Sequence, residues 1–409
     1  MLSELSSVWQ WLQVSLSMVR GIWSNVAVAS VKKPLSPERE DRSDEDARHS
    51  SSAEESAQFC QIPLTIDIKR RYQEKTERKV GDMSAQDNLA PGPSVHPWVS
   101  DGAKRIRFGI SAAAQSWPEM HDLAQMAEGL GFDSFWRVDH PLLGHDGWTT
   151  LAALAAVTRT IRLGTHVSCV AYRPPVLLAR MAADIDAISN GRLVLGLGSG
   201  DMPREFQQLG LAYPTIQQRQ AALEEAIRII RPLLRGETVT FAGTHYRANG
   251  AVLRPPPVQQ PYIPLLIGGG GERTTLRYVA ESADISSIAA ASWAGGAYTP
   301  ADAGRKFQVL QPRCEEAGRS YSSILRATQF GPLILAETEA GVQAKLDRFP
   351  KALLAFLEQT VLATTPGEAI KRMQALVDVG FQYFLCGIAG NDVETLNLLA
   401  QQVIPALLA

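Results

Sequence analysis

From Arg105 to the carboxyl terminus the chain alternates between short apolar runs of strand type and longer stretches whose apolar residues recur every three or four positions. The apolar runs are Arg107–Ser111, Ser134–Val138, Ile161–Val167, Leu193–Leu197, Leu265–Gly268, Ile285–Ala289, Ala327–Leu335 and Tyr383–Gly387. Each is followed by a helix-type pattern, so the chain reads as eight strand–helix units. Runs such as IRLGTHV and RLVLGLG are apolar nearly throughout, as parallel strands buried on both faces are. In the first helix Ser116 and Glu119 have capping-box spacing and Pro118 sits in the first turn. Met120, Leu123, Ala127 and Leu130 then recur on one face, and Gly131 ends it. The longest helix, around Gln217–Leu234, places Leu223, Ala226, Ile227, Ile230, Leu233 and Leu234 on one face, with Pro232 bending its last turns. Eight units over Arg105–Ala409 suit a closed (β/α)8 TIM barrel, typically about 250 residues plus insertions, in preference to an open doubly wound sheet. Thr238–Pro261 breaks the alternation and predicts a small antiparallel hairpin inserted after the fourth unit, with a Pro-rich return.

The first hundred residues follow no such pattern. Trp9, Trp11, Leu12, Val14, Leu16, Met18 and Val19 form a short apolar patch with only Glu4 as charge ahead of it, which does not suit a signal peptide and leaves an amphipathic anchor of irregular pattern as the minor reading. Pro34–Ala57 has no aromatic residue and almost nothing to bury, a composition that predicts disorder. Pro91–Pro97 reads as a linker. Met83 opens a more ordinary protein start. Residues 1–103 therefore read as an N-terminal extension, largely disordered or a mis-assigned start, and residues 104–409 as the barrel domain.

Composition narrows the function. Lys and Arg total 40 against 42 Asp and Glu, a formal charge of −2, which leaves no electrostatic footprint for nucleic acid or anionic lipid. Cys60, Cys169, Cys314 and Cys386 are scattered without a CxxC, so a reducing, cytoplasmic setting is expected and a disulfide framework is not. No apolar run approaches the ~18 residues of a membrane span. Neither HExxH nor paired CxxC spacing is present, so no metal site is expected.

In a barrel the chemistry sits at the carboxyl ends of the strands. After the second run comes Asp139-His140: a turn Asp beside a surface His, or an imidazole that the neighbouring carboxylate aims into the pocket. After the third come His166 and Cys169, a strand-end His and a thiol with no basic neighbour to activate it. After the fourth, Gly196-Leu197-Gly198-Ser199-Gly200-Asp201 departs from GxGxxG at Asp201, and is either a tight turn or a place where backbone approaches a ligand. After the fifth, Gly268–Gly271 opens a helix through Glu272-Arg273, where free amides and the helix dipole would cradle an anion. Two Gly-rich loops beside one His-bearing rim suggest a large phosphate-bearing cofactor across the barrel mouth.

At these residues the chain resembles the luciferase-like monooxygenase superfamily, a (β/α)8 barrel group, and within it the branch that uses the deazaflavin coenzyme F-420. The resemblance covers about three quarters of the chain. It rests on the ordered set GFDSFWRVDH, WTTLAALAAVTRTIRLGTHV, YRPPVLLARMAADIDAISNGRLVLGLGSG, HYRANG, LRPPPVQQPYIPLLIGGGGERTTL and ETLNLLAQQVIPAL. It implies that Asp139 touches the deazaflavin and that His140 faces the reactive ring as proton donor or charge stabiliser. It implies a bulge on the third strand with a cis peptide between His166 and Val167 behind the ring, and a cofactor contact at Cys169. It implies further cofactor contacts at Ser199, Gly200 and Arg204, and a phosphate-side loop at Gly269, Gly270, Gly271 and Glu272. Asp201 stands where some deazaflavin dehydrogenases of the group have Glu as a second acid/base, and reaches about one methylene less. No set of Lys and Arg matches a sugar-phosphate site.

The function so implied is hydride transfer between coenzyme F-420 and a small organic substrate. With reduced FMN instead, the same barrel implies an oxygen-activating monooxygenase served by a flavin or deazaflavin reductase, and a barrel without turnover implies a cofactor-binding or sensor protein. A homodimer is implied by the resemblance alone. Leu142–Asp146 and Ser292–Ala303 are the expected substrate loops, and Trp148 and Trp293 the candidate pocket aromatics.

Overall fold

The structure, a computed structural model, describes residues 95–409 except 103–104, 113–115, 143, 292–293 and 358–359. The expectations for the apolar patch, the Pro34–Ala57 segment and the Met83 start lie outside the described residues, as does Trp293.

Eight parallel strands close into a barrel: Arg107–Ala112, Ser134–Arg137, Arg162–Thr165, Leu193–Gly198, Leu265–Gly268, Ile285–Ser287, Leu325–Leu335 and Tyr383–Ile388. Each pairs with the next in parallel, and the eighth closes on the first through Arg107 opposite Tyr383 and Ala112 opposite Ile388. All eight expected strands are present. The fourth strand shows why parallel strands read as unbroken apolar runs. Its Leu193, Leu195 and Leu197 pack outward against the helices, while Val194 packs into the barrel interior with Trp136, Leu266, Ile285, Leu325, Ala327, Tyr383 and Leu385.

The helix ends follow their sequence signals. Trp117–Gly129 begins with the reciprocal Ser116–Glu119 capping box. Ile216–Leu234 begins with a second box, Thr215–Gln218, and buries the expected apolar face. The expected hairpin is Val239–Ala242 paired antiparallel with Arg247–Ala251. The Glu225 carboxylate on that long helix accepts the turn amides of Thr244, His245 and Tyr246 at 2.8, 2.8 and 2.9 Å. Tyr246 Oη donates to Val170 O at 2.8 Å, which ties the insertion to the loop after the third strand.

Three features depart from the sequence reading. The third strand ends at Thr165; after it Ser168–Cys169 pairs with the fourth strand opposite Leu197–Gly198, and the intervening His166–Val167 peptide is cis, as the resemblance implies. The seventh unit carries an additional block, helices Glu339–Leu346 and Lys351–Leu357 and the strand Leu362–Thr364, which pairs with Leu333–Leu335. The expected boundary at residue 104 falls beyond a helix that belongs to the barrel. That helix, Pro97–Gly102, closes the amino end: Val99 is fully buried within the interior cluster, and Trp98 packs edge-on to Tyr383 between the guanidinium groups of Arg107 and Arg162, each 4.6 Å from its ring. A run of six residues is too short to register as a periodic pattern, so its role is visible only in the packing. Val99→Ala removes two buried carbons and should lower stability by about 2 kcal/mol, measured by urea unfolding of the full chain; an unchanged midpoint would mean the helix is not part of the folding unit.

Candidate active site

The carboxyl ends of the strands bring most of the expected residues together, with partners the sequence did not name. His140 follows the second strand and keeps 23% of its side chain exposed. Its Nδ1 lies 2.8 Å from Glu205 Oε2. Glu205 itself is buried, on the short helix Pro203–Gln208 after the fourth strand. It also accepts from Tyr172 Oη at 2.6 Å and from the Leu142 amide at 3.3 Å. Burial alone would raise the Glu205 carboxyl, but the bonds from His140, Tyr172 and the Leu142 amide outweigh it and hold the group below its usual range. Burial likewise disfavours the His140 imidazolium, and the bond to Glu205 with the nearby charges of Asp201, Glu205 and Asp139 reverses this, so the His140 pKa is raised.

The carboxylate that orients His140 is therefore Glu205, and the expectation that adjacent Asp139 does so is corrected. Asp139 is turned away. Its carboxylate takes Arg173 Nη1 at 2.9 and 2.7 Å and the Cys169 amide at 3.2 Å, and Arg173 reaches on to Asp146 at 3.3 Å. Burial raises the Asp139 carboxyl, more than Arg173 and Cys169 lower it. The physical reason is alternation: consecutive residues leaving a strand face opposite ways, so Asp139 looks into the loop packing and His140 toward the mouth.

Cys169 is buried, and its thiol is pushed up to about 12, first by burial and then by the charges of Asp139 and Asp201. It should resist iodoacetamide at pH 8 in the folded protein and react only after denaturation; rapid labelling of the native chain would contradict this. His166 Nε2 lies 2.8 Å from Ser287 Oγ on the sixth strand, and burial pushes the ring down to about 4, so it is neutral near pH 7. Val167 reaches over the fourth and fifth strands. A Cβ at Gly198 would collide with its Cγ2, and one at Gly268 would lie 3.0 Å from Cγ1. These glycines make room for Val167, a reason that neither sequence reading of the GLGSG loop gave.

Gly200 has φ +79, and a Cβ there would lie 2.7 Å from Cys169 Sγ and 2.9 Å from Phe206. Its carbonyl accepts from Arg219 Nε at 3.1 Å, and Ser199 Oγ accepts from Gln220 Nε2 at 3.1 Å. Asp201 and Arg204 are exposed on the rim. In the four-glycine loop the Gly269 amide donates to Ser287 O at 2.9 Å and the Gly270 amide to Ala294 O at 2.8 Å. Lys306 donates to Gly270 O at 2.8 Å and lies 3.5 Å from Glu272. The Gly269 and Gly270 amides are thus engaged by backbone carbonyls, and Gly268 lies within the fifth strand. An anion is left the amides from Gly271 onward, at the start of helix Thr275–Ser282, with Arg273 exposed beside them. Trp148 is a packing residue: it is buried and donates to Ser168 Oγ at 3.1 Å. A cleft of about 370 Å³ lined by Trp98, Arg107, Asp133 and Arg162 lies at the opposite, amino end of the barrel and takes no part in this constellation.

Sequence reading missed Glu205, Tyr172 and Arg173. Glu205 carried a faint signal, an acid in the first turn of a helix opened by Pro203, but that pattern usually means only a favourable dipole contact.

The model of the luciferase-like monooxygenase family matches residues 103–376. An F420-dependent glucose-6-phosphate dehydrogenase of Nakamurella multipartita is 32% identical over 341 residues, covering 74% of this chain and 97% of that protein. A coenzyme F420-dependent tetrahydromethanopterin reductase from Methanopyrus kandleri superposes with TM-score 0.63 at 20% identity, over 74% of this chain and 99% of that one. An F420-dependent secondary alcohol dehydrogenase, solved with an F420–acetone adduct, superposes with TM-score 0.64 at 20% identity and the same coverage. The chain belongs to the luciferase-like monooxygenase family.

Proposed function

We propose that this protein is an oxidoreductase that moves a hydride between coenzyme F-420 and a small organic substrate. The observation that carries the reading is the His140–Glu205 pair: an imidazole held at Nδ1 by a buried carboxylate, at the rim of a glycine-floored mouth. The residues present suit the coenzyme. The amides from Gly271 onward, with Arg204 and Arg273 on the rim, suit its phosphate-bearing tail. Asp139, His166, Val167, Cys169, Ser199, Gly200, Arg204, Gly269, Gly270, Gly271 and Glu272 are the residues proposed to hold it, Asp139 and Cys169 by shaping the loop.

When bound, the deazaflavin supplies a carbon centre that exchanges a hydride and, unlike a flavin, is restricted to two-electron chemistry. The chain supplies orientation and proton control. Glu205 fixes the tautomer and aim of His140, so that Nε2 is the atom that gives a proton to a substrate oxygen on reduction and takes it back on oxidation. Tyr172 and the Leu142 amide keep Glu205 ionised while it does so. Asp201 is proposed as the second acid/base.

Fluorescence titration of the protein with coenzyme F-420 and, separately, with FMN tests the reading. Saturable binding of the deazaflavin, tighter than that of FMN by at least about tenfold, is the expected result. Tight binding of reduced FMN alone would favour oxygen-dependent chemistry with a reductase partner, and binding of neither would remove the enzyme reading.

A further inference from the structure

His166 stands at the floor of the barrel mouth and His140 at its rim, and the two rings are held by opposite means. Resting on the hydride-transfer reading above, we propose that Ser287 fixes His166 as the Nδ1–H tautomer, and that this N–H donates a hydrogen bond to a ring carbonyl of the bound deazaflavin, more strongly in its reduced form.

Strand alternation sets the direction of the ring. Gly164, two residues earlier on the third strand, faces the barrel interior, where a Cβ would collide with the Trp136 ring. Strand pairing runs on through the His166 amide, which donates to Arg137 O at 2.8 Å, so His166 follows on the same face. Its ring stands edge-on to Trp136, with centroids 6.0 Å apart. From the sixth strand Ser287 reaches the same place, two residues beyond interior Ile285. Ser287 is 2% exposed, whereas His166 is partly exposed. An inward side chain at the carboxyl end of a barrel strand meets solvent through the mouth, so the open edge of the His166 ring faces the mouth. His166 also precedes Val167, whose side chain reaches over the two Gly-rich strands, and this is the side assigned to the coenzyme.

The tautomer follows from the hydroxyl. Ser287 Oγ lies 2.8 Å from His166 Nε2, its hydrogen-bond partner among the described residues, and burial keeps water from it. With the proton on Nε2, the Ser287 hydrogen would be left buried and unbonded. With Oγ donating to Nε2, both groups are satisfied and the ring proton sits on Nδ1. Among the described residues no carboxylate bonds to this ring, and burial pushes it down to about 4, so it is uncharged near pH 7. His140 differs: Glu205 holds it, and its pKa is raised. Environments that drive the two imidazoles of one site apart give them different work. His140 exchanges a proton; His166 keeps its own and offers it as a fixed hydrogen bond. Hydride uptake adds an electron pair to the deazaflavin ring and leaves its carbonyl oxygens more negative, so a donor fixed in advance favours the reduced form. The Ser287–His166 pair is not a hydrolytic nucleophile with its base, because the hydroxyl is buried beneath the ring, out of reach of a substrate.

The test uses the full chain and has two parts. In the protein without coenzyme, labelled with 15N-histidine, the shifts of the two ring nitrogens tell a protonated nitrogen from a bare one. The His166 signals among the seven histidines are those missing from His166→Asn. Protonated Nδ1 and bare Nε2 at pH 7 are expected; a proton on Nε2 would overturn the proposal. Binding of oxidised coenzyme F-420 is then followed by its fluorescence, and binding of the reduced form by anaerobic competition. His166→Leu should weaken the reduced form by about 5- to 100-fold, the usual loss when a desolvated acceptor is left unpaired, and the oxidised form by less. His166→Asn sets an amide nitrogen near the place of Nδ1 and should recover most of this loss. His166→Gln sets it near Nε2 and should recover little. Thermal unfolding verifies that each variant folds, and the comparison of Asn with Gln, which have the same chemistry, separates loss of the donor from loss of structure. Equal weakening of both forms, or Gln as effective as Asn, would overturn the proposal while leaving the coenzyme reading intact. A wild-type chain that binds neither form would overturn the coenzyme reading itself.

Discussion

His140→Ala should leave the barrel folded and slow hydride transfer by about a hundredfold or more, the usual loss for an acid/base group. Glu205→Gln should act on the same step through the imidazole, and the distinction between the two variants lies in their pH dependence. In the wild type, the bond to Glu205 together with the charges of Asp201, Glu205 and Asp139 outweighs the cost of burial and raises the His140 pKa above its ordinary 6.5. In the reductive direction, where the imidazolium donates, the rate should therefore hold up to that raised value and fall above it. Gln keeps the size of the side chain but removes the charge, so the falling limb should move toward lower pH. At a pH above the ordinary His value the variant should then be slower by about 10- to 100-fold, with little change in coenzyme affinity. His140→Ala should show no such limb at all. The same linkage applies to stability. The imidazolium contribution is fully present below pH 6.5 and is lost as pH rises through the raised value, while that of the depressed Glu205 carboxyl is present above its ordinary 4.5 and lost as pH falls through its lowered value. Stopped-flow reduction at a series of pH values, with NMR titration of His140, checks this. A Glu205→Gln profile parallel to that of the wild type would remove Glu205 as a positioning residue.

Arg173→Leu should be the most destabilising single change near the mouth, by about 3–5 kcal/mol, because it leaves the Asp139 carboxylate buried with the Cys169 amide as its remaining hydrogen-bond partner among the described residues. Asp139 already has a raised carboxyl pKa, with burial as the largest cause and Arg173 opposing it. Without the guanidinium it should rise further, so part of the lost stability should return as pH is lowered through the new value, the protonated acid being the form that tolerates burial. The double variant Arg173→Leu with Asp139→Asn removes the charge as well as its partner and should recover a large share of the loss. Thermal unfolding of the three proteins at pH 5 and pH 8 measures this. A double variant no more stable than Arg173→Leu would show that Arg173 matters through packing alone.

The two results separate roles that adjacent positions had merged. Asp139-His140 reads in sequence as a carboxylate–imidazole unit, because neighbours along the chain are the only neighbours a sequence displays. A strand end sends consecutive side chains to opposite sides, and the real partners come from elsewhere: Glu205, 65 residues on, for His140, and Arg173, 34 residues on, for Asp139. The glycine loops were legible as special backbone, but their reasons were not. Gly198 and Gly268 are required by the Val167 side chain reaching over two strands, and the Gly269 and Gly270 amides are engaged by carbonyls of Ser287 and Ala294.

By itself the sequence determined the barrel: its eight strands, the capping box at Ser116, the inserted hairpin and the end of the molecule where His140 sits. These follow from periodicity and local hydrogen-bond geometry, which act over a few residues and are written in adjacent positions. Only the tertiary structure decided that Pro97–Gly102 closes the amino end, that Glu205 orients His140, and that Arg173 pairs with Asp139. Those depend on which side chains from distant segments share a buried volume, and burial, which sets both the strength of such pairs and the protonation of their members, is a property of the closed barrel and of no segment alone.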